Sequence, residues 1–173
     1  MRSRMIVVLL GCFLSTWVMA EARLHVAWPE YWETRAPVAQ GPALLLQARL
    51  QKEGTTLQLL DITAVNTRAA SRPVDVTSIR ILAERLRDAT LPTAVEDTIE
   101  LMPLNSASGF YFVATDRSFR RGAVDGYRQL VEGVMLRSGY LINFTLLTSD
   151  STAREAKEIM RVLDELTIDL TDV

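Results

Sequence analysis

One cysteine and one histidine in 173 residues close off most metal and nucleophile chemistry. The cysteine, Cys12, lies in an apolar run near the start of the chain. If it leaves with that run, no thiol remains, which excludes disulfides, thiol catalysis and cysteine-based metal sites. The histidine, His25, would have to serve alone in any Ser-His-Asp triad, and a multi-histidine zinc site cannot be assembled. Flanked by Leu24 and Val26 in a short strand-like stretch, it reads as structural or exposed rather than catalytic. Lysine is scarce too, with only Lys52 and Lys157, so arginine carries the basic charge. No GxSxG, phosphate-binding glycine loop, HExxH, repeat or low-complexity tract occurs. A formal net charge of −2 argues against general nucleic-acid binding, which needs a basic footprint.

What is present begins with a leader. "MRSR" carries Arg2 and Arg4, residues 5–19 form an uncharged apolar run, and small residues at Val18 and Ala20 precede the polar "EAR". This pattern predicts a secretory signal peptide cleaved after Ala20. The run is shorter than the roughly 20 apolar residues of a membrane span. The expectation is one domain over residues 21–173, periplasmic or secreted, and more acidic by the loss of two arginines. In a competing reading, "LLGC" at Leu9–Cys12 is a lipoprotein processing site that would tether the chain through Cys12. The bulk of Leu10 and the apolar continuation "FLSTWVM" weigh against it.

Along the rest of the chain, "LHVAW" (Leu24 to Trp28) reads as a short strand and "PEYWETRAPVAQGP", with three prolines, as loop. "ALLLQARLQ" places Leu44, Leu46, Ala48 and Leu50 on one face, and "TTLQLLDITAV" follows across a turn, as in a hairpin. The spacing of Ile79, Leu82, Ala83, Leu86 and Thr90 predicts a helix over 78–91, with Asp75, Thr77 or Ser78 as its cap and Pro92 beyond its end. Strands are expected at 96–104, 109–115, 127–137 and 140–148, the last two joined by a tight Ser138-Gly139 turn. Gly133, inside a strand, marks a bulge or a close approach. Thr152 with Glu155 has the form of a capping box for a final helix striped by Ala156, Ile159, Met160, Leu163 and Leu166. Together these elements predict an α+β domain, a mostly antiparallel sheet with helices packed on it.

The run "GFYFVATDRS…GYRQLVEGVMLRSGYLINFTLLTSDSTAREAKEIMRVLDEL", Gly109 to Leu166, resembles the C-terminal half of proteins with the Mog1/PsbP-like sandwich. It resembles more closely a group of small exported bacterial proteins of unassigned function expected to share that fold. The resemblance covers about a third of the chain and implies an α/β/α sandwich with a non-enzymatic binding role. PsbP-type proteins are extrinsic subunits of a membrane complex and Mog1-type proteins bind a small GTPase. Neither partner carries over to this chain, and no catalytic or metal-ligand motif transfers.

Three stretches are candidate sites. "ATDRSFRRG" with Arg128 beyond it sets Arg117, Arg120, Arg121 and Arg128 against Asp116 and Asp125, with Phe119 as an apolar anchor. Planar guanidinium groups suit carboxylates and phosphates, so an anionic ligand or an acidic partner surface is the expected target. The competing reading is a solvated turn in which Arg117 or Arg128 pairs with Asp116 or Asp125. "AWPEYWE" brings Trp28, Tyr31 and Trp32 together, either as an aromatic platform or as indoles covering an open end of the core, their N–H groups paired at its edge. Asp61, with apolar residues on both sides, is either a carboxylate of raised pKa or a solvent-facing residue at a bulge. Asp97 and Glu100 would point to opposite faces of a strand, which removes them as a glycosidase pair.

The function expected is therefore a non-catalytic periplasmic accessory or binding protein, with no cofactor, no metal and no nucleic acid. Its partner would be a protein of the cell envelope, with peripheral attachment to a membrane complex as one arrangement. The alternatives are a small carboxylate-based hydrolase and a small-molecule binding module using residues 28–32.

Overall fold

A computed structural model describes residues 21–40, 43–52, 55–67, 73–105, 108–119 and 127–171. The expected leader, Cys12, Arg120 and Arg121 lie outside the described residues.

The strands are β1 (Glu21–His25), β2 (Trp32–Thr34), β3 (Val38–Gln40), β4 (Ala43–Lys52), β5 (Thr55–Asn66), β6 (Met102–Pro103), β7 (Ser108–Thr115), β8 (Gln129–Arg137), β9 (Tyr140–Thr148) and β10 (Thr167–Thr171). The helices are α1 (Val76–Thr90) and α2 (Arg154–Glu165). One sheet runs β2-β4-β5-β9-β8-β7-β6 with β3 also on β4, and every pairing in it is antiparallel. β1 pairs with β10 as a separate two-stranded ribbon. The α+β expectation therefore holds: a mostly antiparallel sheet with two helices.

Asp75 is the cap that α1 uses, its carboxylate accepting from the N–H and the hydroxyl of Ser78. The Ser138-Gly139 turn has φ of 52° and 80°, the positive values that a two-residue hairpin of this hand requires. Gly133 marks a close approach, since β8 and β9 stay in register through it and the Phe144 ring lies where its side chain would be.

Four expectations need correction. The proline-rich loop contributes β2 and β3, which cover the outer edge of β4 and shield it from foreign strands. The strand expected over 96–104 is reduced to Met102–Pro103. Before it, Glu96 accepts the N–H of Thr115 and Ile99 packs beside Phe112 and Ala114, so the segment is held by side chains rather than by a ladder. The capping box does not form, because Thr152 donates its N–H and hydroxyl to Asp150 and the helix starts at Arg154. The first strand lies earlier than expected, at Glu21–His25, where β10 provides a partner that periodicity did not reveal.

The main core lies between the sheet and α2. Leu46, Leu60, Ile62, Val131, Met135, Ile142, Phe144 and Leu146 meet Ala156, Ile159, Val162 and Leu163 there. On the opposite face α1 packs on β7 and β8 through Ile79 and Ala83 against Val134, with Leu82, Phe110 and Leu136 around them.

Candidate functional site

Because α1 lies over β7 and β8, the same sheet face continues past it across β9, β5 and β4. There Leu45, Leu59, Val65 and Leu147 are half-buried and belong to none of the three apolar clusters of the described residues. A polar row crosses the middle of this half-face: Gln47, Asp61, Thr145 and Glu132 are successive cross-strand neighbours. Cross-strand neighbours share a face, so all four side chains stand on the α1 side of the sheet, Gln47, Asp61 and Thr145 beyond the helix and Glu132 beside its end.

Asp61 is exposed, and its carboxylate accepts from Gln47 Nε2 at 2.8 Å. Glu132 stands on the far side of Thr145, two strand spacings or roughly 10 Å away at Cα. Burial pushes the Glu132 carboxyl up from its ordinary range, and a hydrogen bond with Thr90 of α1 offsets part of that. Near β4 the face dips into a concavity of about 410 Å³ lined by Arg35, Val38, Leu45, Gln47, Asp61 and Thr63, among others. Asp61 thus faces solvent in regular pairing. The one register break between β4 and β5 lies elsewhere, at Leu50/Gln51.

The described part of the arginine stretch, Asp116 to Phe119, is a tight turn at the end of the sheet. The Asp116 carboxylate accepts from the N–H and the hydroxyl of Ser118, so it is committed to the turn. Backbone bonds from Arg117 to Thr93, from Phe119 to Asp116 and from Asp116 to Arg128 fix its ends. Arg117 and Arg128 are exposed and Phe119 is half-buried. Hydrogen bonds from Thr152 hold the nearby Asp150 below the usual carboxylate range, and Arg128 and Lys157 add to the effect. Lys157, on α2, therefore joins Arg128 at this basic end.

The three aromatics do not form one platform. Trp32 is 6 % exposed and part of the core, while Trp28 packs against that core with ring centroids 6.4 Å apart. Trp32 Nε1 is buried without a hydrogen-bond partner among the described residues, so the expected pairing at the core edge is absent. Tyr31 is exposed and donates its hydroxyl to Glu158 of α2, a bond that raises the phenol to about 12. Asp97 and Glu100 are exposed in irregular backbone, and His25 lies in β1 opposite Thr167.

Sequence reasoning singled out Asp61 and passed over Glu132, although the signal is the same: a lone acid among apolar residues in "QLVEGVML". Among the described residues no group of three or more Asp, Glu, His or Cys side chains is placed to hold a metal ion. No described helix is long and apolar enough to cross a membrane. No family model, curated protein or solved structure matches the chain.

Proposed function

We propose that this protein is a non-catalytic binding module of the cell envelope, exported by its leader, that acts through surface contacts with a protein partner. Its framework would be the Mog1/PsbP-like α/β/α sandwich, a kinship supported by one helix on each face of the main antiparallel sheet. The observation that carries the binding role is the half-face of β4, β5 and β9, where Leu45, Leu59, Val65 and Leu147 have no covering helix among the described residues. Apolar area gains about 25 cal/mol per Å² only when water leaves it, and a contiguous uncovered patch marks an interaction surface. The basic end, with Arg117, Phe119, Arg128 and Lys157, is a second contact region suited to acidic groups of the same partner, and Arg120 and Arg121 adjoin it in sequence.

The test is a photo-cross-linking residue placed in cells at Thr63, on the open face, or at Arg161, exposed on α2 on the far side of the sheet. A discrete adduct from Thr63 and none from Arg161 is expected. No adduct from Thr63, or equal adducts from both positions, would refute the assignment.

One observation favours a second reading, carboxylate-based hydrolysis: Asp61 and Glu132 share one sheet face on either side of Thr145, and burial favours the protonated form of Glu132. Such a pair has the form of a general base and a general acid. Turnover of any member of a glycoside panel, abolished by Glu132→Gln, would replace binding with catalysis.

A further inference from the structure

We propose that the concavity at the β4 rim binds a free α-amino acid with an aliphatic side chain. Its ammonium lies on Asp61 and Gln47, its carboxylate on Arg35 and its side chain on Leu45 and Val38. This goes beyond the partner surface and does not depend on it.

The concavity is built from two rows of residues across three strands. Arg35 donates its N–H to the Gln47 carbonyl at 3.0 Å, and Gln47 is the cross-strand neighbour of Asp61. These three therefore form one row with a cation at one end and an anion at the other, roughly 10 Å apart at Cα. Val38, Leu45 and Thr63 are cross-strand neighbours too and form the next row on the same face. Two residues along the strands separate the rows, roughly 7 Å. All six line the space of about 410 Å³, which lies in the range of small-molecule sites. Arg35, Ala36 and Val38, from the turn between β2 and β3, bound its outer side.

Both charges are placed to meet a ligand. Gln47 Nε2 bonds one oxygen of the Asp61 carboxylate at 2.8 Å, and the second oxygen and the Gln47 amide oxygen are acceptors suited to an ammonium. Arg35 is exposed and makes no ion pair among the described residues. Arg49, two residues along β4 from Gln47, is instead held by Glu33 at 2.9 Å. A guanidinium can donate two parallel hydrogen bonds to a carboxylate, so the free cation of this edge is matched to one.

The two rows together select the shape of the ligand. Hydrogen bonds at both ends take up about 6 Å of the polar row, so the ligand's own charges lie close together. Its apolar part then has to leave that row toward Leu45 and Val38, and Val38 is 60 % exposed, so covering it removes apolar area from water. An α-amino acid has this form, because ammonium, carboxylate and side chain diverge from one carbon. An ω-amino acid would instead lay its methylenes over the polar Gln47.

Calorimetry on the purified protein with L-leucine tests the site. Two analogues accompany it: leucine methyl ester, which lacks the carboxylate, and N-acetyl-leucine, which lacks the ammonium. Leucine is expected to saturate one site, with each analogue at least about tenfold weaker. Arg35→Gln should bring leucine down to the level of its methyl ester, and Asp61→Asn down to that of N-acetyl-leucine. Both residues are exposed, so both variants should melt with the wild type. No saturation by valine, leucine or methionine up to about 10 mM would overturn the proposal. So would equal affinity for leucine and either analogue, or undiminished binding by either folded variant. A cross-link from Thr63 without leucine binding would leave the partner surface standing and remove the amino-acid site alone.

Discussion

Strand β9 shows two faces of one sheet side by side. Tyr140, Ile142, Phe144, Leu146 and Thr148 are buried, while the residues between them, Leu141, Asn143, Thr145 and Leu147, are only half-buried. Leucine occurs in both sets, so composition alone does not decide which face is covered. The difference lies in the third layer: α2 and the Trp28–Trp32 segment cover the first face, while α1 lies over the part of the second that belongs to β7 and β8, with Leu141 of β9 at the edge of its cluster. On the binding reading proposed above, a face left with apolar residues and no helix among the described residues is completed by a partner.

The sharpest break in the comparison is Phe144→Ala. The ring is fully buried and fills the space over Gly133, so removing it should cost about 3–5 kcal/mol in urea unfolding. Next is a matched pair on adjacent residues of the same strand. Leu146→Ala should cost about 2–5 kcal/mol, and Leu147→Ala less than about 1 kcal/mol, because only the first empties a packed site. Equal losses would show that both faces are packed. A smaller effect of opposite geometry is Gly133→Ala, whose added methyl would lie 2.7 Å from Phe144 Cε1 and 2.8 Å from the Phe110 carbonyl oxygen. Overpacking of this kind should cost about 1–3 kcal/mol, and Phe144→Leu in the same chain should recover part of it.

The smallest effect is in pH dependence. Burial raises the Glu132 carboxyl, so the folded chain retains a proton that the unfolded chain releases. The stability from this group is fully present below the ordinary glutamate range and is lost as pH rises through the raised value. Asp75, Glu96 and Asp150, all shifted down, act with the opposite sign and cancel when wild type is compared with Glu132→Gln. From about pH 4 to about pH 7 the stability difference should move in favour of the glutamine variant. A flat difference would place Glu132 in a water-like environment.

The core face was legible because its signal is local: Leu44, Leu46, Ala48 and Leu50, and the alternation of Tyr140 to Leu146, have the period of a half-buried strand. The open face left its own trace in "LLL" at 44–46 and "LL" at 59–60 and 146–147, doublets that put leucine on both sides of a strand. Such runs belong to strands covered on both faces, and nothing in the period says whether the cover comes from the same chain. The short β2 and β3 were hidden by prolines that do not prevent edge pairing, and β10 by the distance in sequence to β1. Glu132 was missed because its meaning depends on Asp61 and Thr145, which only the register brings beside it.

The most direct test of the open face as a docking surface is the cross-link yield from Thr63 in cells, with Leu147 intact or changed to arginine. Leu147→Arg places a bulky positive charge on the strip while leaving the core untouched. The account predicts a discrete adduct in the first case and its loss in the second, with the variant still folded. An adduct of undiminished yield from the folded Leu147→Arg protein would contradict it.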